Sequence, residues 1–422
     1  MENLKVFKFG GASVKDANAI RNVANILELY AGDDILVIVS AMGKTTNLLE
    51  SLIDAYWENR EDKSNIFESF KSFHTSIIKD LKLGSDTFNT RIQDLYKSLW
   101  GKVSEQRSDN YHFEYDQIVS FGELFSTTII AEYLNNLNNC TSWFDAREVI
   151  KTNDTFQEAK IDWDNTQIQY NEKLKLKFGS GKRVVVTQGF IGQTSGGRTT
   201  TLGREGSDFT ASIFAYVGNA SGVTIWKDVP GMLNADPKYF SGTVLLNKIS
   251  FTEAIELAYY GASVIHPKTI QPLKRKEIPL FIKSFLNPAE QGTVIQSSTI
   301  YDEDVPSYIF KENQILISVT PKDFSFVIED QLTEIFALLA EQKVRINLMQ
   351  NSAVSFSFLI DNKYRLNDLI NRLKEDYLVS HDENLELLTI RHYQDETIQR
   401  LSENKDIILI QKTAETARVI LK

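Results

Sequence analysis

Two glycine-rich segments of this chain carry the residue types that bind phosphate groups. The first is Lys5-Val-Phe-Lys-Phe-Gly-Gly-Ala-Ser13, where an alternating apolar stretch runs into Gly10-Gly11 and a helical pattern follows over residues 16–30. A strand, a glycine turn and a helix N-terminus bring N–H groups and the positive end of the helix dipole together, which suits an anion. Lys8 stands just before the turn and would add a full positive charge. The alternative is that Gly10-Gly11 only reverses the chain.

The second segment is Thr199-Thr-Thr-Leu-Gly-Arg-Glu-Gly-Ser-Asp208, which leads directly into the apolar helical stretch Phe209–Val217. The start of that helix is a second candidate anion site, and the alternative is that Ser207 or Asp208 simply caps the helix. Arg204 is suited to gripping a carboxylate through two parallel hydrogen bonds. Asp208 is acidic and would lie near phosphates, so we predict that it orients a lysine or Mg²⁺ rather than binding phosphate itself.

Polar residues also follow two predicted strands. Ser40–Asn47 comes at the end of the strand pattern over residues 35–40, and Lys227-Asp228 comes after the strand pattern Gly222–Trp226. Open α/β sheets place their ligands at the carboxyl ends of strands. Asp228 there suits contact with a ribose or a metal, and a turn-starting aspartate is the alternative.

The composition narrows the class of protein. Of the 422 residues, 42% are hydrophobic and 24% are charged, as in globular proteins, and the net charge is −10. Such an acidic balance argues against nucleic acid or an anionic membrane as a partner, because either needs a basic face. The chain has a single cysteine, no apolar run of membrane-spanning length and an N-terminus that enters a strand at once, so we expect a cytoplasmic protein.

The first part of the chain has the element order of an α/β fold. Strand, helix and strand patterns over residues 4–9, 17–30 and 35–40 form a βαβ unit, which implies a mostly parallel sheet. Alternating helix and strand patterns continue to a loop at residues 287–292. We therefore predict one domain over residues 1–298.

The pattern changes beyond about residue 300. A β-α-β-β-α-β order over about residues 308–378 indicates a ferredoxin-like module, and shorter elements follow over about residues 384–422. We predict a second, α+β domain over residues 299–422, in which the module after residue 384 is reduced.

Taken together, the motifs resemble those of aspartate kinase, a member of the amino-acid kinase family. The blocks that carry the resemblance occur in the family's order and spacing, and they are Lys8–Val14, Val119–Leu124, Gln188–Gly192, Thr199–Asp208, Trp226–Gly231 and Gly261–Pro267. The resemblance covers residues 4–298 as the kinase part and extends to the rest as a regulatory region of ACT type. It implies an amino-acid-kinase-like sandwich with a mostly parallel central sheet, followed by a ferredoxin-like ACT region.

The resemblance also implies a reaction and a role for each matching residue. MgATP would phosphorylate the β-carboxylate of L-aspartate, the first step toward lysine, threonine and methionine. Lys8 would stabilise the transferring phosphoryl group, and Asp208 would organise that lysine. Glu123 would hold the ammonium group of aspartate and Arg204 its α-carboxylate. The remaining pocket residues would be Ser40, Thr46, Phe190 and Ser207. The nucleotide would contact Lys8, Gly10, Gly11, Ser13, Lys227, Asp228, Leu233 and Lys238.

Three departures from the family pattern bear on these roles. Ser263 stands where many relatives have a lysine, so a cation near the nucleotide is replaced by Lys227 or Lys268, and the sequence does not decide which. Leu233 stands where an aromatic residue often lies near adenine. The region after the first ACT module is short, which leads us to expect weak or lost feedback inhibition.

Two other functions remain open from the sequence. One is another amino-acid kinase, of the glutamate or acetylglutamate type, and the other is a weakly catalytic ACT sensor of amino acids. We expect a homodimer or higher homo-oligomer, and an amino-acid effector such as lysine or threonine that would bind near residues 347–355. Beyond the Mg²⁺ that accompanies ATP, the sequence predicts no metal site.

Overall fold

The computed structural model describes residues 3–138, 140–178, 183–262, 264–323, 325–363 and 366–422. The chain divides into two compact units, each described here by itself. The first unit comprises Met1–Met232, Leu245–Ile255 and Val264–Tyr301. The second comprises Leu233–Val244, Glu256–Ser263 and Asp302–Lys422.

The chain up to residue 301 alternates strands and helices. Its strands are β1 (Leu4–Phe9), β2 (Asp34–Val39), β3 (Thr141–Phe144), β4 (Lys151–Thr152), β5 (Val184–Gln188), β6 (Ile191–Thr194), β7 (Thr199–Thr201), β8 (Gly222–Lys227), β9 (Lys248–Ser250), β10 (Leu280–Ser284) and β11 (Thr293–Gln296). Its helices are α1 (Ala17–Glu28), α2 (Thr45–Trp57), α3 (Lys63–Asp80), α4 (Asp86–Ser104), α5 (Tyr111–Val119), α6 (Phe121–Asn138), α7 (Trp163–Gln169), α8 (Lys175–Phe178), α9 (Gly206–Gly218), α10 (Phe251–Tyr260) and α11 (Pro267–Arg275).

A mostly parallel sheet forms the core of the first unit. Among the described residues the strand order is β3-β5-β2-β1-β8-β10-β11-β9, and neighbouring strands run parallel from β3 to β10. The inner strands read as continuous apolar runs such as Ile35–Val39, whose side chains are all buried. Such runs are typical of a parallel sheet covered on both faces. The predicted mostly parallel sheet is therefore confirmed.

The register of the sheet brings the ends of four strands to one edge. Phe9 of β1 pairs with Val39 of β2 and with Trp226 of β8, and Val39 pairs with Gln188 of β5. Because these strands are parallel, the residues that follow each of them emerge side by side. This edge is where an open α/β sheet places its ligand.

Three segments differ from what the sequence pattern predicts. The sequence pattern is helical over about residues 47–104, and the structure divides this stretch into α2, α3 and α4. The pattern also predicts one helix over residues 117–134, which the structure divides into α5 and α6. The glycine-rich stretch is not a simple loop, because β6 and β7 form a hairpin that joins β4 in a small separate sheet. Gly197, with a φ of +78°, makes the hairpin turn that an L side chain would strain. The hydroxyl residues and glycines of this stretch hide the alternation of apolar and polar residues by which a strand pair is predicted.

The second unit contains one antiparallel sheet with helices. Its elements are β12 (Ser307–Pro321), α12 (Glu329–Glu341), β13 (Ile346–Asn351), β14 (Phe356–Asp361), α13 (Leu366–Asp376), β15 (Tyr377–Arg391), α14 (Asp395–Leu401), β16 (Ile407–Lys412) and β17 (Thr416–Leu421). Within the described part of the chain the strand order is β13-β14-β12-β15-β17-β16. The first six elements have the β-α-β-β-α-β order of a ferredoxin-like module, as predicted.

The long strands β12 and β15 serve both modules of this unit. Their outer halves pair through Leu316–Pro321 with Tyr377–Asp382, inside the first module. Their other halves pair through Ser307–Lys311 with Leu387–Arg391, and β17 then adds to β15. The sequence pattern predicts only short strands here, over residues 314–319 and 385–392, because the polar residues at the bulge between Lys311 and Gln314 interrupt the apolar pattern.

None of the helices in the described ranges combines the length and apolar character that a membrane crossing requires.

Candidate active site

A cavity of about 570 Å³ opens in the first unit, next to the strand ends described above. A cavity of this size is in the range of small-molecule sites. The residues that line it are Lys8, Ser40, Thr46, Tyr115, Glu123, Gln157, Glu158, Phe190, Thr201, Gly203, Arg204, Glu205, Gly206, Ser207, Asp208 and Lys227.

The cavity brings together residues from six separate segments of the sequence. The predicted site residues that line it are Lys8, Ser40, Thr46, Glu123, Phe190, Arg204, Ser207, Asp208 and Lys227. The described lining does not include Gly10, Gly11, Ser13 or Asp228. Leu233 and Lys238 belong to the second unit, so the first unit alone gives no geometry for their predicted contact with a nucleotide.

Two lysines flank one buried carboxylate in the cavity wall. Lys8 Nζ lies 2.5 Å from Asp208 Oδ1, and Lys227 Nζ lies 3.7 Å from Asp208 Oδ2. The Asp208 side chain is 3% exposed and that of Lys8 is 11% exposed, so this pair is largely withdrawn from water. Electrostatic interactions are stronger in such a place than at the surface. The arrangement fits the predicted role of Asp208 in orienting a lysine.

The glycine turn after β1 requires glycine for a packing reason. A Cβ added at Gly11 would lie 2.8 Å from both the Ala41 oxygen and the Gly43 oxygen. The Gly43 N–H donates to the Gly11 oxygen at 3.0 Å, so the turns after β1 and β2 touch through their backbones. The hydroxyl of Ser13 donates to the Trp226 oxygen at 3.5 Å, which ties the same turn to β8. These contacts fix the turn that follows the strand carrying Lys8.

Glu123 places a buried carboxylate at the cavity. Its Oε1 accepts a hydrogen bond from the Ala41 N–H at 3.1 Å. Its Oε2 is buried and has no hydrogen-bond partner among the described residues. Burial raises the pKa of this carboxyl to about 8, and the Lys8 ammonium lowers that pKa in part. A carboxylate oxygen that is desolvated and unsatisfied is suited to a cationic group of a ligand.

The start of α9 and the Phe190 segment form the opposite wall. Gly189 and Gly206 allow a close approach there, because an added Cβ would lie 2.5 Å from Ser207 Cβ and 2.6 Å from the Phe190 ring, respectively. Phe190 has a left-handed φ of +69°, and its N–H donates to the Thr210 hydroxyl at 2.9 Å. The start of α9 therefore lies at the cavity, and the N-terminus of a helix favours an anion.

The Arg204–Glu205 corner also lines the cavity. Arg204 is exposed, and Glu205 has a left-handed φ of +53° immediately before α9 begins. One oxygen of Glu205 is buried and has no hydrogen-bond partner in the described part of the chain. The corner thus places a guanidinium at the cavity with its donors available to a carboxylate.

Several lining residues were missed by the sequence analysis. Thr201 and Gly203 lie inside the Thr199–Asp208 segment, so their position in that motif could have identified them. Tyr115 lies on α5, the helix before the one that carries Glu123, and its hydroxyl donates to Glu50 Oε1 at 2.7 Å. Gln157 and Glu158 come from a loop without any motif, and only the tertiary fold brings them to the cavity.

Lys227 and Lys268, the two candidates for the cation that is missing at position 263, have different surroundings. Ser263 itself lies outside the described residues. Lys268 Nζ donates to the Leu202 oxygen at 2.9 Å and lies 4.7 Å from the centre of the Phe209 ring. Lys227 lines the cavity, donates to the Val264 oxygen and approaches Asp208. Lys227 therefore lies at the cavity, whereas Lys268 is not among the residues that line it.

The residues fit a nucleotide whose metal is carried on its phosphates. The described residues contain no group of three or more His, Cys, Asp or Glu side chains arranged to hold a metal ion. Mg²⁺ usually binds through substrate phosphates and water with only one or two carboxylates. Lys8, Lys227 and the start of α9 are the groups that would receive the phosphates.

The chain is similar to known proteins over most of its length. Residues 3–284 match the model of the amino acid kinase family. The lysine-sensitive aspartokinase 3 of Escherichia coli is 32% identical over 361 residues, which cover 86% of this chain and 79% of that protein. The crystal structure of E. coli aspartokinase III with aspartate and ADP matches with a TM-score of 0.81 and 29% identity, covering 99% of this chain and 96% of that one.

The complex of E. coli aspartokinase III with lysine and aspartate matches with a TM-score of 0.84 and 29% identity, covering 100% of this chain and 96% of that one. The similarity thus extends through both units of the chain. The chain belongs to the amino acid kinase family and, within it, to the aspartokinases.

Proposed function

We propose that this protein is an aspartate kinase that transfers the γ-phosphoryl group of MgATP to the β-carboxylate of L-aspartate. The proposal rests on one observation, which is that three features complementary to the substrates meet in the same cavity. They are the unsatisfied carboxylate of Glu123, the guanidinium of Arg204 and the Lys8–Asp208 pair. An amino-acid ammonium, an α-carboxylate and a transferring phosphoryl group are the matching partners.

The chemistry needs alignment and charge neutralisation more than covalent help. An oxygen of the β-carboxylate attacks the γ-phosphorus, the bond to the bridging oxygen breaks, and ADP leaves with that oxygen. Lys8 offsets the negative charge on the transferring group, and Asp208 holds the Lys8 ammonium in place. Mg²⁺, when bound with ATP, neutralises charge on the phosphates.

An acyl-phosphate assay tests this proposal. Hydroxylamine traps the product of carboxylate phosphorylation, so aspartate, glutamate and acetylglutamate can be compared in one experiment with ATP. We expect trapped product with aspartate and at most a trace with the other two acids. Preference for glutamate or acetylglutamate would identify another amino-acid kinase, and no product with any acid would indicate a sensor.

Arg204→Lys tests the substrate clamp. We expect this change to raise KM for aspartate by about tenfold or more and KM for ATP by less than about twofold, because a lysine cannot reproduce the two parallel hydrogen bonds. Steady-state kinetics with each substrate varied in turn measure both values. An equal effect on the two substrates would move Arg204 to the nucleotide side.

Lys227→Thr tests the proposed replacement cation. We expect KM for ATP to rise on the order of tenfold, because Lys227 lies beside Asp208 at the cavity, and we expect a further Ser263→Lys change to restore part of the loss. Lys268→Met is the comparison. A rise in KM for ATP with Lys268→Met but not with Lys227→Thr would reverse the assignment.

We infer that residues 1–298 are the catalytic domain and that residues 299–422 are a regulatory and dimerisation region in a cytoplasmic homo-oligomer. The E. coli relative was crystallised with lysine, which supports lysine as the effector to test here. In this chain the polar groups near residue 347 are already engaged. Asn347 accepts from Lys311 and donates to Gln314 and Asp361, and Ser352 bonds Ser355 across the turn.

An effector at that place would have to displace these internal hydrogen bonds. We therefore expect lysine, threonine or methionine to inhibit by less than about fivefold at saturation, the low end of usual allosteric coupling. Titrations of each amino acid against activity and melting temperature measure the effect. Strong inhibition by low lysine or threonine would contradict the expectation, and a melting shift without inhibition would show binding that is uncoupled from catalysis.

A further inference from the structure

Asp116 on α5 is a buried carboxylate that does not line the cavity but holds part of its wall. Its side chain is 0% exposed. Asp116 Oδ1 accepts from the Thr201 hydroxyl at 2.7 Å, and Oδ2 accepts from the Thr201 N–H at 2.8 Å. The Gln157 N–H lies 3.1 and 3.2 Å from the two oxygens. One carboxylate thus fastens two backbone segments to α5.

These two segments form one layer of the cavity wall. The Ala159 N–H donates to the Thr201 oxygen at 3.0 Å, and a Cβ added at Gly203 would lie 3.1 Å from the Gln157 oxygen. Gln157 also has a left-handed φ of +69°, a conformation that its side chain disfavours and that the hydrogen bond to Asp116 helps to hold. The wall therefore depends on Asp116 for its position.

The same wall carries the predicted substrate clamp. Arg204 follows Thr201 by three residues, and its side chain is exposed. The position of the backbone therefore decides where the guanidinium lies. Burying a carboxylate costs free energy unless hydrogen bonds compensate the charge, and at Asp116 the donors of Thr201 and Gln157 provide these bonds. Burial raises the pKa of Asp116 to about 6, and the donors on Thr201 and Gln157 lower it in part.

We propose that Asp116 is a positioning residue that fixes the wall carrying Arg204 and thereby sets the affinity for the amino-acid substrate. This inference rests on the proposed function, because it assigns Arg204 to that substrate. Asp116 itself does not touch the substrate in this scheme. Its effect passes through the backbone from Thr201 to Arg204.

Asp116→Asn is the direct test, because the amide keeps the shape but replaces one acceptor with an NH₂ group that opposes the N–H donors. We expect KM for aspartate to rise by about tenfold, while KM for ATP changes by less than about twofold. In an Arg204→Gln background, Asp116→Asn should change KM for aspartate by less than about twofold, because the clamp it positions is gone.

Glu114→Gln is the matched control on the same helix. Glu114 is also buried, accepts from the Ser108 N–H at 2.9 Å and pairs with Lys102 at 2.7 Å, but it does not line the cavity or bond its wall. We expect it to lower stability without changing the ratio of the two KM values. If Asp116→Asn fails to fold, Thr201→Val removes only the hydroxyl donor, and we expect it to raise KM for aspartate by about threefold.

Three results would overturn the inference. They are equal effects on both KM values, a loss confined to kcat, and an effect of Asp116→Asn that persists at full size in the Arg204→Gln background. Wild-type turnover with aspartate tests the proposed function separately. If the wild type prefers another amino acid, the same ratios are measured with that acid. If it has no turnover, calorimetric binding of aspartate and ATP to the same variants decides, and unchanged aspartate affinity would overturn the inference.

Discussion

Replacement of Lys8 by alanine is expected to leave the fold intact and to lower kcat by roughly 10²–10³ or more, the scale of losing one preorganised electrostatic group. Lys8 brings its ammonium to 2.5 Å from the Asp208 carboxylate at the cavity, where water is largely excluded. Its charge would oppose the charge on the phosphoryl group in transfer, when that stabilisation matters most. Steady-state kinetics with aspartate and ATP measure kcat directly.

Lys5→Ala is the matched control for this change. Lys5 lies on the same strand and forms an ion pair with Asp33 at 2.6 Å, away from the cavity. We expect Lys5→Ala to keep kcat within about twofold of the wild type, because partly exposed ion pairs contribute little. Circular dichroism and thermal melting of both variants separate lost catalysis from lost folding. Turnover like that of the wild type in Lys8→Ala would remove Lys8 from the catalytic role.

Much of this site could be predicted because its residues lie in short local motifs. Lys8 with Gly10-Gly11 and Arg204 with Asp208 each sit at a strand end or a helix start, where sequence pattern and backbone geometry coincide. Parallel strands then bring such ends together, so the motifs meet in one cavity. The order of elements in both units follows from the same local patterns.

The rest of the site depends on contacts that no local pattern encodes. Asp116 is an acid within a helical pattern, and its four contacts form only when Gln157 and Thr201 fold against α5. The unsatisfied oxygen of Glu123 likewise exists only because α6 buries it. The hairpin of β6 and β7 escaped prediction because hydroxyl residues and glycines hid its alternation.

Glu123→Gln is expected to raise KM for aspartate by about 100-fold at pH 8, because truncating one partner of a buried charge pair is among the largest single losses in binding. The amide would keep the hydrogen bond from the Ala41 N–H but offers no charge to an ammonium group. KM for ATP should change little. Kinetics with each substrate varied in turn measure the two effects.

The same carboxylate predicts how substrate binding depends on pH. Burial raises the pKa of Glu123 to about 8 in the substrate-free protein, so below that pH the group is mostly protonated and an ammonium must expel the proton. KM for aspartate should therefore fall by about tenfold per unit as pH rises toward 8 in the wild type, with proton release on binding. In E123Q, KM for aspartate should not depend on pH over this range. The KM values of the two proteins should become similar near pH 6.

Stability gives a readout of Glu123 that is independent of turnover. The pKa of Glu123 is higher in the folded protein than in the unfolded chain. Its contribution to the free energy of unfolding is therefore fully present below the ordinary pKa of glutamate and is lost as pH rises through about 8. Substrate-free E123Q should therefore melt at an increasingly higher temperature than the wild type as pH rises from 5 to 8. A constant difference in melting temperature across this range would show that Glu123 is already ionised in the empty site.

Succinate separates the ammonium contact from every other consequence of the change. It has the two carboxylates of aspartate but no ammonium group, so it cannot use the charge of Glu123. We expect wild type and E123Q to bind succinate with affinities within about threefold of each other, while their affinities for aspartate differ by about 100-fold. Calorimetry measures all four affinities. An equal loss for succinate and aspartate would mean that Glu123 shapes the cavity rather than reading the ammonium group.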